Sequence, residues 1–180
     1  MKGIHIRRAG FEDAHIISYL GKKTFAETFA DLFSDDELNE YLDKTFSTDK
    51  LHTSLLKEEN IFGILFYQDN PVGYYKIKLG RHYDHSADSR HIQLQKIYVL
   101  RDHLHLKLGK AMLNHILSLE EIKNCLVMWL VVLHTNSRAI QFYKTYGFKK
   151  LEIYYYTIGS QVLEYDLMSK DLQPFELFPL

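Results

Sequence analysis

The chain has 180 residues, 22 Lys and Arg against 23 Asp and Glu, a formal charge of −1, and 46% hydrophobic residues. That length suits one domain, 1–180, able to bury a core without disulfides or metals, and the balanced charge removes any global case for a nucleic-acid partner. The single cysteine, Cys125, excludes an internal disulfide, and its neighbours Leu126, Val127 and Met128 suit a buried structural thiol rather than a nucleophile.

Residues 1–13 lack an apolar stretch of signal-peptide length, and the longest apolar run, 125–133, falls short of the roughly 20 residues that a membrane span needs. The expected setting is cytoplasmic, with no membrane partner. In chain order, Ile4 and Ile6 alternate with His5 and Arg7, which predicts a short edge strand. Glu12 and Asp13 then open a helix carrying Phe11, Ala14, Ile17 and Phe25 at helical spacings, with its acids at the positive end of the dipole. A second, acidic helix follows from Asp35 on the stripe Leu38, Tyr41 and Leu42, and a third spans 48–57 through Leu51, Leu55 and Leu56. Segments 61–67 and 72–79 read as a hairpin around Gln68, Asp69, Asn70 and Pro71. Segment 80–90 is polar and aperiodic, long for a connection, and predicts a functional or mobile loop.

The next strand, 91–100, changes parity: Ile92 and Leu94 share one face, whereas Ile97 and Val99 fall on the other. One extra residue near Gln95 and Lys96 would restore a single apolar face, which predicts a β-bulge there, with a fully buried unbulged strand as the alternative. After Gly109, the residues Leu108, Met112, Ile116 and Leu119 form a core stripe. The run 125–133 suits a central strand covered on both faces. Asn136 is a strong N-cap and Gly147 a strong C′ residue for the following helix, and 148–157 with 161–169 close the chain as a hairpin about Gly159 and Ser160. The apolar tail 171–180 is expected to pack on the domain or on a second subunit, the latter making a homodimer.

Three clusters could carry chemistry. Backbone amides at a helix start, with Arg101, Lys107 and Lys110, suit phosphate groups, although solvation also explains a basic helix start and the G-x-x-x-x-G-K-[ST] P-loop is absent. Between Glu27 and Asp43 stand seven carboxylates and no Lys or Arg; they would attract a polycationic amine, or simply form a solvated face. Ten histidines, with His82, His85, His91, His103 and His105 in one region, show neither HExxH spacing nor a Cys/His framework, so no metal site is expected.

The words KIYV, LGKAML and N-x-x-A-I-x-F-Y-x-x-x-G-F, the last carried by Asn136, Ala139, Ile140, Phe142, Tyr143, Gly147 and Phe148, resemble the GNAT superfamily of N-acetyltransferases. KKTFAETFADLF, YLDKTF, VGYYKI and LQKIYV extend the similarity over nearly the whole chain, towards bacterial spermidine/spermine acetyltransferases of the PaiA type. The resemblance implies an α/β fold: a mixed, mainly antiparallel sheet splayed between two central strands ending near Val99 and Leu133, with helices on both faces. Acetyl-CoA would lie in the split. Its pantetheine would pair with Ile97, Tyr98 and Val99, its pyrophosphate would sit on Leu104, His105, Leu106, Lys107, Leu108, Gly109 and Lys110, and Asn136 would touch it.

By the same analogy Tyr143 would donate a proton to the departing thiolate, a role that a phenol of pKa near 10 can fill. The family's phosphate fingerprint, Gln/Arg-x-x-Gly-x-Gly/Ala, aligns on 104–109, where only Gly109 matches. Leu104 replaces Gln/Arg, and Lys107 replaces the first glycine at a cost of about 1 kcal/mol if that residue takes a positive φ. Many relatives place a glutamate base on the bulged strand; here Gln95 stands in that region and cannot act as one. His134 is the nearest titratable candidate, with an ordinary strand-end histidine and a water relay as alternatives. The implied reaction is direct transfer to a small-molecule primary amine, a polyamine, in a ternary complex. A peptide or protein N-acetyltransferase and a non-catalytic acyl-CoA sensor are the rival readings.

Overall fold

The computed structural model describes residues 3–83 and 90–172. Strand β1 (Ile4–Arg8) leads through a 3-10 turn at Phe11–Asp13 into helix α1 (Ala14–Phe29), followed by α2 (Asp35–Phe46) and α3 (Thr48–Leu55). The hairpin of β2 (Asn60–Tyr67) and β3 (Asn70–Leu79) comes next, then β4 (His91–Val99), α4 (Leu108–Leu117), β5 (Val127–Leu133) and α5 (Ser137–Thr145). A second hairpin, β6 (Lys149–Ile158) and β7 (Gln161–Asp171), ends the described chain. The seven strands form one sheet in the order β1-β2-β3-β4-β5-β7-β6. Its strand pairs are antiparallel except β4 with β5.

Local chemistry sets the element boundaries. Asp13, 3% exposed, accepts two hydrogen bonds of 2.7 Å from the Arg7 guanidinium and one of 2.9 Å from the Gly10 amide. The bond from Arg7 holds the carboxyl below the usual carboxylate range and ties β1 to the start of α1. Ser34 caps α2 in a capping box with Glu37, and Asp35 and Asp36 add favourable charge at the helix's positive end. The first hairpin turns more tightly than its composition suggests: Gln68 and Asp69 alone take positive φ, 49° and 61°, and Asn70 already belongs to β3.

The alternation along β3 shows how the helices cover both faces. Tyr75 lies 5.9 Å from the His115 ring of α4, whereas the next side chain, Lys76, donates to Ser54 Oγ of α3 at 3.1 Å. On one face α1 buries Ala14, Ile17, Leu20 and Phe25; on the other α4 buries Leu108, Met112, Leu113 and Ile116. The expectations for segment 80–90 and for the tail fall largely on residues 84–89 and 173–180, outside the described residues.

The bulge predicted from parity is present. Register passes from Lys76↔Lys96 to Ile77↔Leu94, leaving Gln95 as the extra residue of β4. Pairing of β4 with β5 covers only His91↔Val127, Ile92↔Met128 and Gln93↔Trp129, after which the strands part. Helices α1 and α2 meet above this region at Gly21, where a Cβ would overlap the Phe46 ring. A Gly→Ala change inside a helix ordinarily stabilises by about 1 kcal/mol. Here the overlap reverses the sign, and Gly21→Ala is expected to destabilise the fold by about 1–3 kcal/mol in equilibrium urea unfolding. A stabilised variant would show that the ring yields.

Candidate active site

A cavity of about 750 Å³ occupies the gap between β4 and β5. Residues 94–99 of β4 form one wall, Val131, Val132 and Leu133 of β5 the other, and Ala139, Phe142 and Tyr143 of α5 line it alongside the loop before α4. Its volume is that of a cofactor or drug-sized ligand site. The cavity owes its length to the strand separation: from Lys96 to Val99, β4 has β3 on one side and no partner strand on the other.

At one end stands the start of α4. Residues Arg101–Leu106, read from sequence only as a loop, form a 3-10 helix. Lys107 then takes φ 55° and ψ 28°, the left-handed conformation anticipated for the position where the fingerprint has glycine. Gly109 faces the cavity with open space, since an added Cβ would meet only Phe142 Cζ at 3.9 Å. Lys107, Lys110, Arg101 and Arg138 also line this end, so helix amides and four cations converge where a phosphate group could sit. Glu27 of α1 braces the loop by accepting from the Arg101 amide at 2.8 Å, and the Arg101 guanidinium donates to the Glu27 carbonyl.

Nearer the strands, Tyr143 is 9% exposed and packs edge-on against Phe142 and Phe148 at 5.3 and 5.6 Å. Burial pushes its phenol well above the ordinary value, so the group stays protonated at neutral pH. Asn136 caps α5 by accepting from the Ala139 amide at 3.1 Å, and it too lines the cavity. Of the residues singled out from sequence, Ile97, Tyr98, Val99, Leu104, Lys107, Gly109, Lys110, Asn136 and Tyr143 therefore come together around one space. His105 points to solvent, Leu106 is half-buried and Leu108 is in the core, and none of the three lines it.

His134 also lies off the cavity wall. Its Nδ1 is 2.8 Å from Asp166 Oδ1, which also accepts from Lys150 Nζ at 2.6 Å. Burial alone would raise the Asp166 pKa, but the Lys150 ammonium and the His134 ring bring it below its usual value.

Tyr165 and Lys96 are among the groups lining the cavity that were not singled out from sequence. Tyr165 of β7 is pushed up to about 12 by burial. Lys96, the residue after the bulge, sets its Nζ 5.4 Å from the Phe46 ring centroid, and desolvation lowers its pKa to about 8. Lys96 is half-buried and lines the cavity, and its ammonium is largely desolvated. A smaller cavity of about 210 Å³ lies between α2 and the β6–β7 turn, lined by Glu37, Glu40, Tyr41, Lys44, Lys50 and Tyr156 among others. Glu37 links the two elements by accepting from the Ser160 hydroxyl at 2.6 Å and its amide at 3.0 Å, which holds the carboxyl down to about 2.

The Lys107 backbone yields a stability test. Lys107→Gly is expected to stabilise by up to about 1 kcal/mol, and Lys107→Val to destabilise by more than that, because a β-branched residue fits the left-handed region worst. Thermal unfolding of both variants would decide; equal midpoints would mean that the loop relaxes.

Residues 26–148 match the model of the Acetyltransferase (GNAT) family. A spermidine N(1)-acetyltransferase from Thermoplasma acidophilum is 23% identical over 150 residues, 81% of this chain and 88% of that protein. An uncharacterized N-acetyltransferase in the pepI 3′ region of Lactobacillus delbrueckii subsp. lactis is 24% identical over 159 residues, 88% of this chain and 92% of that one. The crystal structure of PaiA N-acetyltransferase from T. acidophilum in complex with coenzyme A shares the fold, with a TM-score of 0.75 at 22% identity, covering 93% of this chain and 98% of that one. With the family match spanning both walls of the cavity and the loop before α4, the chain belongs to the GNAT acetyltransferase family and is an acetyl-CoA-dependent N-acetyltransferase.

Proposed function

We propose that the acceptor is a primary amine of a polyamine such as spermidine or spermine, acetylated by direct attack in a ternary complex. The observation that carries the reading is the single cavity joining the cationic start of α4 to the buried Tyr143 hydroxyl along an unpaired stretch of β4. In this reading the free backbone groups of Ile97, Tyr98 and Val99 pair with the amides of the pantetheine arm. The amides at the start of α4, with Lys107 and Lys110, hold the pyrophosphate, and Asn136 contacts the cofactor with the amide NH2 that its cap leaves over. Tyr143 gives its proton to the sulfur as the thioester C–S bond breaks.

Two observations support a polycationic acceptor. The spermidine N(1)-acetyltransferase relative is similar over most of this chain. Carboxylates from the acidic segment also reach both cavities, Glu27 the larger and Glu37 and Glu40 the smaller, where they would draw in an extended cation.

Thiol release from acetyl-CoA should be fastest with spermidine and spermine in a panel that includes lysine and a short peptide. Preference for the peptide would move the reading to a peptide N-acetyltransferase. Tyr143→Phe is expected to lower kcat by about 100-fold or more while leaving coenzyme A affinity within about threefold, as expected when an interaction made only in the transition state is removed. An unchanged rate would remove Tyr143 from the mechanism.

A further inference from the structure

We infer that Lys96 is the group that accepts the proton from the attacking amine. The inference rests on acetyl transfer taking place in the cavity between β4 and β5. As nitrogen bonds to the carbonyl carbon and the C–S bond breaks, one proton must leave that nitrogen, while the sulfur takes another from Tyr143. The proton acceptor needs a lone pair, a place on the cavity wall and a route back to water.

The other titratable groups on the wall meet these conditions poorly. Glu27 is committed to Arg101. The phenols of Tyr98 and Tyr165 are pushed upward by burial and hold their own protons. Lys107 and Lys110 stand at the far, phosphate-facing end. Lys96 sits where β4 has just left β5, immediately after the bulged Gln95, and three residues beyond Gln93↔Trp129, the last β4–β5 pair.

Its surroundings disfavour the ammonium form. The charged groups facing it are Lys50 of α3 and Lys76 across the strand pair, both of like sign, and α2 presents the apolar Phe46 ring. Among the described residues no carboxylate pairs with it. Desolvation and like charge bring it to about 8, so neutral amine is plentiful at mildly alkaline pH. Lys76 is lowered to about 8 as well, but its Nζ donates to Ser54 Oγ at 3.1 Å and it does not line the cavity. After transfer, the Lys96 ammonium returns its proton to water through the open side of the cavity.

The test uses full-length Lys96→Met and Lys96→Arg in pH profiles of kcat/KM with the best acceptor of the panel. The wild-type rate should rise with pH through an apparent pKa of about 8, below the value of about 10 expected for the acceptor's own amine. Both variants should lose about 100-fold or more in kcat, lose that limb, and keep coenzyme A affinity. Arginine keeps the charge but accepts no proton, so an active Lys96→Arg enzyme would overturn the assignment. A limb that survives Lys96→Met and disappears in His134→Asn would overturn it in favour of the histidine. The labelling rate of Lys96 by acetic anhydride against pH, read by mass spectrometry, needs no acceptor. If every amine of the panel is inert, the substrate reading fails and labelling decides: a midpoint near 8 sustains Lys96, and one near the ordinary lysine value of about 10.4 overturns it.

Discussion

The constraint on which the structure depends is the early end of pairing between β4 and β5. Three residue pairs hold the strands together, whereas β5 stays paired to β7 from Val127↔Asp171 to Leu133↔Tyr165. The sheet is thus two antiparallel blocks hinged at one short parallel seam. Gln95 supplies the local cause, since a bulged residue bends its strand and raises its twist. A sheet interior that stops pairing leaves N–H and C=O groups which, if kept from water and unmatched, cost about 1–3 kcal/mol each. A ligand with its own amides, threaded along β4, would satisfy them. The gap is thereby both a structural defect and a binding surface.

The acidic segment is less uniform in space than along the chain. Of its seven carboxylates, Glu27 braces the loop before α4, Glu37 joins Ser34 to the β6–β7 turn, and Asp43 pairs with Lys22 at 2.6 Å. Glu27 and Glu37 thus shape the walls of the larger and the smaller cavity as much as they charge them. Lys76 and Lys96 stand on the face of the sheet that α3 covers, with Lys50 of α3 close enough to add like charge. For the extended cation proposed above as acceptor, these carboxylates would attract and these lysines would repel. The repulsion would favour the neutral form of the reacting nitrogen, and salt would weaken the part nearer solvent more than the desolvated part.

Much of this was legible in the chain because it rests on local rules. The parity break between Leu94 and Ile97 located the bulge. Asn136 announced the α5 cap through its side-chain chemistry, and the Lys107 replacement pointed to the backbone conformation found there. What was missed depends on tertiary cover. Lys76 alternates with Tyr75 and Ile77 as a solvent-facing residue would, yet helices close over that face and leave both Lys76 and Lys96 half-buried with desolvated amines. Residues 101–106 lack the apolar periodicity that marks a helix and form a 3-10 helix nonetheless. His134 is turned to Asp166 by the β5–β7 register, which pairs Val132 with Asp166, a relation with no trace in local sequence.

The start of α4 shows how such sites are maintained against local stability. Lys107 carries left-handed strain of about 1 kcal/mol. Together with Lys110 it also puts positive charge at the positive end of a helix dipole, unfavourable by about 0.3–1 kcal/mol per cation. Among the described residues no carboxylate pairs with either lysine. Strain and repulsion thus accumulate at one point of the fold, and an anion relieves the electrostatic part without moving the backbone. A ligand that does so stabilises the native state by RT ln(1 + [L]/Kd). An anion held there would therefore couple its own occupancy to the stability of α4, the helix that covers one face of the sheet through Leu108, Met112 and Ile116.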